Sequence, residues 1–214
     1  MEIRVPVSEF ASCMGYCQFR IVNTFHLKLK PRVSKAQING KKVHDELKDI
    51  DLLVPREIVT EEQLLDPSFD LDIPREVLKV FIKRENKNEF VYVGRMDKAE
   101  RKDGNIYITD DKTTGRIHPV YFDNILQTSC YCEGFRNVFS EMIKFDKIFF
   151  NIVQRDFKGN VVQEILNEFD SDVKNVLYSN FEVFEKIVNK DIEPSHHGNS
   201  KKCSKCGFEC QWKV

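Results

Sequence analysis

The chain has 214 residues, with 33 Lys and Arg against 34 Asp and Glu for a formal net charge of -1, and 41% of its residues are hydrophobic. That length suits one domain of ordinary size with a sizeable core, and no apolar run approaches the roughly 20 residues of a membrane-spanning helix. The near-neutral balance excludes a uniformly basic surface. The 7 cysteines, odd in number and preceded by no secretion signal, suggest reduced thiols in a cytoplasmic protein, not disulfides.

In chain order, Ser8 is placed to cap a helix running to about Phe25, with Phe10, Cys13, Cys17, Ile21 and Val22 on its apolar stripe. Between Phe10 and His44 there is no Asp or Glu, while Arg20, Lys28, Lys30, Arg32, Lys35, Lys41 and Lys42 lie within that stretch. Such a segment would attract a phosphate backbone, although a solvated lysine-rich surface has the same composition. A helix is expected around Lys35 to Lys48, carrying His44. Asp49 to Pro74, acidic and interrupted by prolines, reads as an irregular or partly helical insertion over a cleft.

Glu76 to Arg84 predicts a strand, and Phe90 to Thr114 predicts two β-type runs around the turn Lys102-Asp103-Gly104-Asn105. Val120 to Ser140 predicts a long helix with Phe122, Leu126, Tyr131, Phe135 and Phe139 available to pack. Lys147 to Gln154 and Val161 to Ile165 form a candidate hairpin closed by Lys158-Gly159-Asn160. Asp170 to Lys190 predicts a core-packing helix through Val173, Val176, Leu177, Phe181, Phe184 and Ile187. Pro194 ends it. His196 and His197 follow in a polar linker and read as solvated. No internal repeat, phosphate-binding Gly-rich loop or ATP-binding signature appears.

The Phe90–Thr114 hairpin concentrates chemistry. Asp97 lies on its first run, and Asp110, Asp111 and Lys112 on its second. Hydrolysis of a phosphodiester needs carboxylates converging on a hard divalent cation, and a neighbouring amine can steer the attacking water. In an antiparallel pair of suitable register Asp97 faces Asp110, and period-two alternation puts Asp110 and Lys112 on one face. A solvated hairpin whose charges do nothing is the plain alternative.

The order Gly40-x-x-x-His44, Gly94-x-x-Asp97, Asp110-x-Lys112, Gln127-x-x-x-Tyr131 resembles the RecB-like branch of the PD-(D/E)xK nuclease superfamily, with every motif in sequence order. The resemblance spans nearly the whole chain. It implies an α/β fold with a restriction-endonuclease-like core, a central mixed β-sheet flanked by helices. It implies that His44, Asp97 and Asp110 are ligands to Mg²⁺ or Mn²⁺, with the backbone carbonyl of Asp111, and that Lys112 is the catalytic lysine. Gln127 and Tyr131, one helical turn apart, would contact DNA and buttress the site, and Arg20 would help guide the strand.

Cys203-x-x-Cys206-x-x-x-Cys210 places three thiols in eight residues, a spacing suited to a soft metal or an iron-sulfur cluster. Cys13 and Cys17 are the candidates for a fourth ligand. This arrangement is similar to the RecB-like nucleases of the CRISPR-associated Cas-four family, with one cysteine before the nuclease core and three after it. That likeness implies a structural 4Fe-4S cluster on Cys17, Cys203, Cys206 and Cys210. Gln18 stands where the family has proline, and the last two cysteines are closer together than in the family. A structural Zn²⁺ on the same thiolates is the alternative. Cys130 and Cys132 read as small buried hydrophobes.

The organisation expected is a single nuclease domain over residues 1–214, with 35–190 as the core and 1–34 and 191–214 together as an iron-sulfur lobe. The function implied is a metal-dependent deoxyribonuclease, a single-stranded DNA exonuclease acting in CRISPR spacer acquisition beside an integrase, with a homo-oligomer left open. Two other readings stand beside it: a stand-alone repair, recombination or mobile-element nuclease, and a non-catalytic DNA-binding scaffold.

Overall fold

Side-chain alternation and helical spacing of apolar residues sort the chain into two sheets with helices laid against them. The computed structural model describes residues 1–32, 38, 60–114, 118–195, 203, 206–208 and 210. The expected helix around Lys35 to Lys48 with His44, the insertion up to residue 59, and His196 and His197 lie outside the described residues.

The elements are β1 (Glu2–Pro6), α1 (Val7–Gly15), α2 (Phe19–Ile21) leading into a π-helical turn at Val22–His26, α3 (Glu61–Leu65) and β2 (Leu71–Ile73). A 3-10 turn at Arg75–Val77 follows, then β3 (Lys79–Glu85), β4 (Glu89–Arg95), β5 (Lys98–Lys102) and β6 (Asn105–Thr113). The chain continues through α4 (Phe122–Phe139), β7 (Ile148–Arg155), β8 (Val161–Glu168) and α5 (Ser171–Val188). One sheet has three strands in the order β1-β4-β3, and the other has five in the order β2-β5-β6-β7-β8. Pairings β1–β4 and β6–β7 are parallel and the rest antiparallel, so both sheets are mixed.

Two sheets replace the single central sheet expected from sequence. The chain leaves the β4 ladder at Met96, whose N–H bonds to the Leu78 carbonyl while its side chain is buried, and re-enters sheet structure only at Lys98. Asp97 occupies the corner. Between β5 and β6 the turn has only two residues, Asp103 (φ 48°) and Gly104 (φ 76°), because Lys102 pairs with Asn105. Two successive positive φ values match the right-handed strand twist, and Asp-Gly supplies them at low cost.

β1 was not anticipated. It pairs with β4 from Glu2–Glu89 to Pro6–Val93 and runs directly into α1, so Pro6 stands at the N-cap where Ser8 was expected, and no side chain caps the helix. α1 ends at Gly15 and not near Phe25: the Tyr16 and Cys17 N–H groups both return to the Ser12 carbonyl and close it. Phe10 packs against Tyr92, Phe181 and Phe184 with ring centroids 4.7 to 5.4 Å apart, joining α1, β4 and α5 in one core. Residues of β1 and α1 therefore contribute to the main core. Arg101, fully buried on β5, donates to the carbonyls of Gln63, Leu64, Phe69 and Lys144, tying α3 and two loops to the sheet. Leu126, Tyr131, Phe135 and Phe139 of α4 are buried as the helical spacing implied, whereas Phe122 and Val176 face solvent. Among the described residues no helix is long and apolar enough to cross a membrane.

Candidate active site

On β6, Ile106, Ile108, Asp110 and Lys112 share one face by alternation, and that face looks toward α4. Its first three residues are buried, so the Asp110 carboxyl sits at the end of an apolar row, 2% exposed. One Asp110 oxygen, Oδ1, accepts a 3.3 Å bond from Gln127 Nε2 of α4. The other, Oδ2, lies 2.8 Å from Lys112 Nζ without hydrogen-bonding geometry. Lys112 in turn donates to Gln127 Oε1 at 2.9 Å, and Gln127 Nε2 bonds the Tyr131 hydroxyl at 2.9 Å. Burial, opposed by Lys112 and reinforced by the Asp97 charge, pushes the Asp110 carboxyl up to about 6. Burial and the Asp110 charge likewise raise the Tyr131 phenol.

Asp97 stands at the β4–β5 corner, one step beyond the Lys98–Thr109 pair, and so across from Asp110. Its Oδ2 accepts the Asp111 N–H at 3.2 Å, and its Oδ1 lies 3.3 Å from Arg75 Nη2. Asp111 points away from Asp110, as alternation demands, and its Oδ1 is held by Arg155 Nε at 2.6 Å. Arg155 also donates to the Gly159 carbonyl in the β7–β8 turn. Gly94 is required by close approach: a Cβ there would lie 2.7 Å from Tyr131 Cε1.

Asp97, Asp110, Lys112, Gln127 and Tyr131 thus form one connected group. Arg75 joins it through Asp97, and Arg155 holds Asp111 on the opposite face of β6; both were missed in sequence, because neither falls in a motif and only the fold brings the 3-10 turn and β7 to the acidic residues. His44 lies outside the described residues. Among those described, no three His, Cys, Asp or Glu side chains are placed to hold a metal ion. The donor chemistry nevertheless suits a hard cation: a dehydrated carboxylate oxygen met by an ammonium, and a second carboxylate opposite.

The cysteines occupy a second region. Cys17 is half-buried, and its thiol is raised first by burial and then by the neighbouring thiols Cys206, Cys203 and Cys210, against a lowering bond from the Phe19 N–H. The Tyr16 phenol is raised by burial and by Cys206, Cys203 and Cys17. Cys13 differs. It is fully buried, its Sγ lies 3.5 Å from Glu9 Oε1, and its thiol is raised well above the usual range by burial and Glu9 against the lowering charge of Arg20. The segment is tied to the chain end at three points: Gln18 Oε1 accepts the Ser195 N–H and hydroxyl, the Arg32 N–H donates to the Gly207 carbonyl, and the Arg20 guanidinium stacks 5.1 Å from the Phe208 ring. Arg20 also lies 3.6 Å from Glu9, with its side chain 14% exposed. Cys130 and Cys132 are buried in α4.

No family model and no curated protein matches the sequence. Solved structures do share its fold. A protein called SSO0001 superposes with a TM-score of 0.52 at 11% identity, over 99% of this chain and 87% of its own. A protein from Eubacterium rectale, named provisionally as an exonuclease, superposes with a TM-score of 0.53 at 13% identity, over 98% of this chain and 90% of its own. At such identities the likeness establishes a common mixed α/β architecture, one shared with a protein named as a nuclease.

Proposed function

We propose that the chain is a metal-dependent deoxyribonuclease of the RecB-like type, acting on single-stranded DNA from an end. The observation that supports this most is the convergence of Asp110, Lys112, Gln127 and Tyr131 from β6 and α4, with the buried Asp110 Oδ2 met by the Lys112 ammonium. Asp97, Asp110, the Asp111 carbonyl and His44 would hold Mg²⁺ or Mn²⁺. A bound divalent cation acidifies water and offsets the charge that builds up on a phosphate. Lys112, oriented by Gln127 Oε1, directs the attacking water. Tyr131, packed against Gly94, fixes the position of Gln127.

Cys17, Cys203, Cys206 and Cys210 would bind the structural 4Fe-4S cluster. The electrostatic proximity of Cys17 to the other three supports that set, and the burial of Cys13 against Glu9 supports its exclusion. Four thiolates also fit Zn²⁺. Protein purified without oxygen should be brown, absorbing near about 400 nm; colourless protein with stoichiometric zinc would reject the cluster. A role in spacer acquisition beside an integrase rests on the sequence resemblance to the Cas-four family, and gene neighbourhood separates it from a stand-alone repair nuclease.

The deciding experiment is a cleavage assay with 5′- and 3′-labelled single and double strands across Mg²⁺, Mn²⁺ and Ca²⁺, run alongside Asp110→Ala. Wild-type cleavage with Mn²⁺, lost in the variant, is expected. Binding without cleavage by the wild type would favour the scaffold reading.

A further inference from the structure

We propose that Arg75 is a substrate-binding residue of this site, its guanidinium taking a non-bridging oxygen of the phosphate under attack. The inference rests on the nuclease reading above. Among the described residues Lys112 and Arg75 contact the acidic pair and Arg155 contacts Asp111 on the other face of β6, and the three differ in how far they are committed. Lys112 is engaged by Asp110 Oδ2 and Gln127 Oε1. Arg155 is engaged by Asp111 Oδ1 and the Gly159 carbonyl. Arg75 touches Asp97 through one nitrogen only, Nη2 to Oδ1 at 3.3 Å, and among the described residues its other N–H groups have no partner.

An arginine serving only to brace a carboxylate would be expected to use its two-pronged donor geometry. Asp97 already has a brace, since its Oδ2 accepts the Asp111 N–H. The side chain is enclosed, 19% exposed, and its backbone is firmly set. The 3-10 turn that carries it joins β2 to β3, with the Val77 N–H bonded to the Pro74 carbonyl and the Leu78 N–H bonded to the Arg75 carbonyl, while Leu78 is fully buried. A fixed guanidinium with spare donors beside a catalytic carboxylate suits the phosphate's planar face of oxygens, where negative charge is spread during phosphoryl transfer.

The test compares wild type, Arg75→Gln and Arg75→Lys in three measurements: Mn²⁺ affinity by calorimetry without DNA, affinity for a fluorescent single-stranded oligonucleotide in Ca²⁺, and the cleavage rate at saturating Mn²⁺ and DNA. Because the guanidinium competes with a cation for Asp97, Arg75→Gln should bind Mn²⁺ at least as tightly as wild type. It should bind the oligonucleotide about 10-fold more weakly and cleave about 100-fold more slowly. Arg75→Lys, which keeps charge but not the fork, should recover part of the binding.

Weakened Mn²⁺ affinity with unchanged oligonucleotide binding would make Arg75 a brace for Asp97 and overturn the proposal, as would no change in any measurement. Should Arg75→Gln fail to fold, Arg75→Lys carries the same comparison, with a smaller loss expected and the same two overturning outcomes. A wild type that neither binds Mn²⁺ nor cleaves would instead overturn the nuclease reading itself.

Discussion

Asp110 illustrates how a single side chain takes its properties from position. A carboxyl at the end of the Ile106–Ile108 row is dehydrated by α4, and its Oδ2 meets only an ammonium at 2.8 Å. Its folded-state value near 6 stands above the ordinary 3.8, so the stabilising protonated form is fully present below about pH 4 and lost as pH rises through 6. In the presence of chelator, wild type should therefore lose on the order of 2–3 kcal/mol relative to Asp110→Asn between pH 4 and 7. Urea unfolding of both proteins across that range checks it; parallel pH profiles would contradict the burial argument. For catalysis, Asp110→Ala and Lys112→Ala should each lower cleavage at least about 10³-fold while leaving DNA affinity within a few-fold. End-label assays and anisotropy titrations measure the two effects separately. The carboxylates and the lysine were legible in sequence because acidic and basic residues spaced two apart on a strand must share a face. Arg75 and Arg155 were not, since no local pattern signals an ion pair made between segments distant in sequence.

At the scale of elements, positioning depends on contacts that hold a strand or a turn. Arg155 on β7 reaches Asp111 on β6, the strand it pairs with in parallel. Arg155→Ala should free the Asp111 side chain and loosen the backbone between Asp110 and Lys112, raising the Mn²⁺ concentration needed for half-maximal cleavage about 10-fold with a smaller effect on the maximal rate. A metal titration of activity reads that split. Arg101 secures α3 through two carbonyls and two loops through one each, and Arg101→Ala strands all four in a buried setting. Loss of about 3 kcal/mol or more in equilibrium unfolding is expected. The hairpin β7–β8, α4 and α5 followed from their apolar spacing and from Lys158-Gly159-Asn160, with boundaries shifted by a few residues. β1 escaped notice: its five residues are too few for a periodic signal, and only pairing with β4 makes them a strand.

Across the whole molecule, the N-terminal segment after α1 and the chain's end meet through Gln18–Ser195, Arg32–Gly207 and Arg20–Phe208. If a cluster on Cys17 joins them, Cys17→Ser should release iron and lower the melting temperature, whereas Cys13→Ser should keep its iron and absorbance. Iron content and thermal unfolding of the two variants decide this; iron loss from Cys13→Ser alone would reverse the assignment. By itself, the sequence determined the motif order, the strand that carries Asp110 and Lys112, the helix that carries Gln127 and Tyr131, and the clustering of late cysteines, because each is set by local periodicity or short spacing. Only the tertiary structure decided that the sheet divides at Met96–Asp97, that Cys13 and Arg20 both approach Glu9, that Arg75 reaches Asp97 and that Arg155 holds Asp111. Those outcomes depend on which distant segments share dehydrated space, a property of packing that no window along the chain contains.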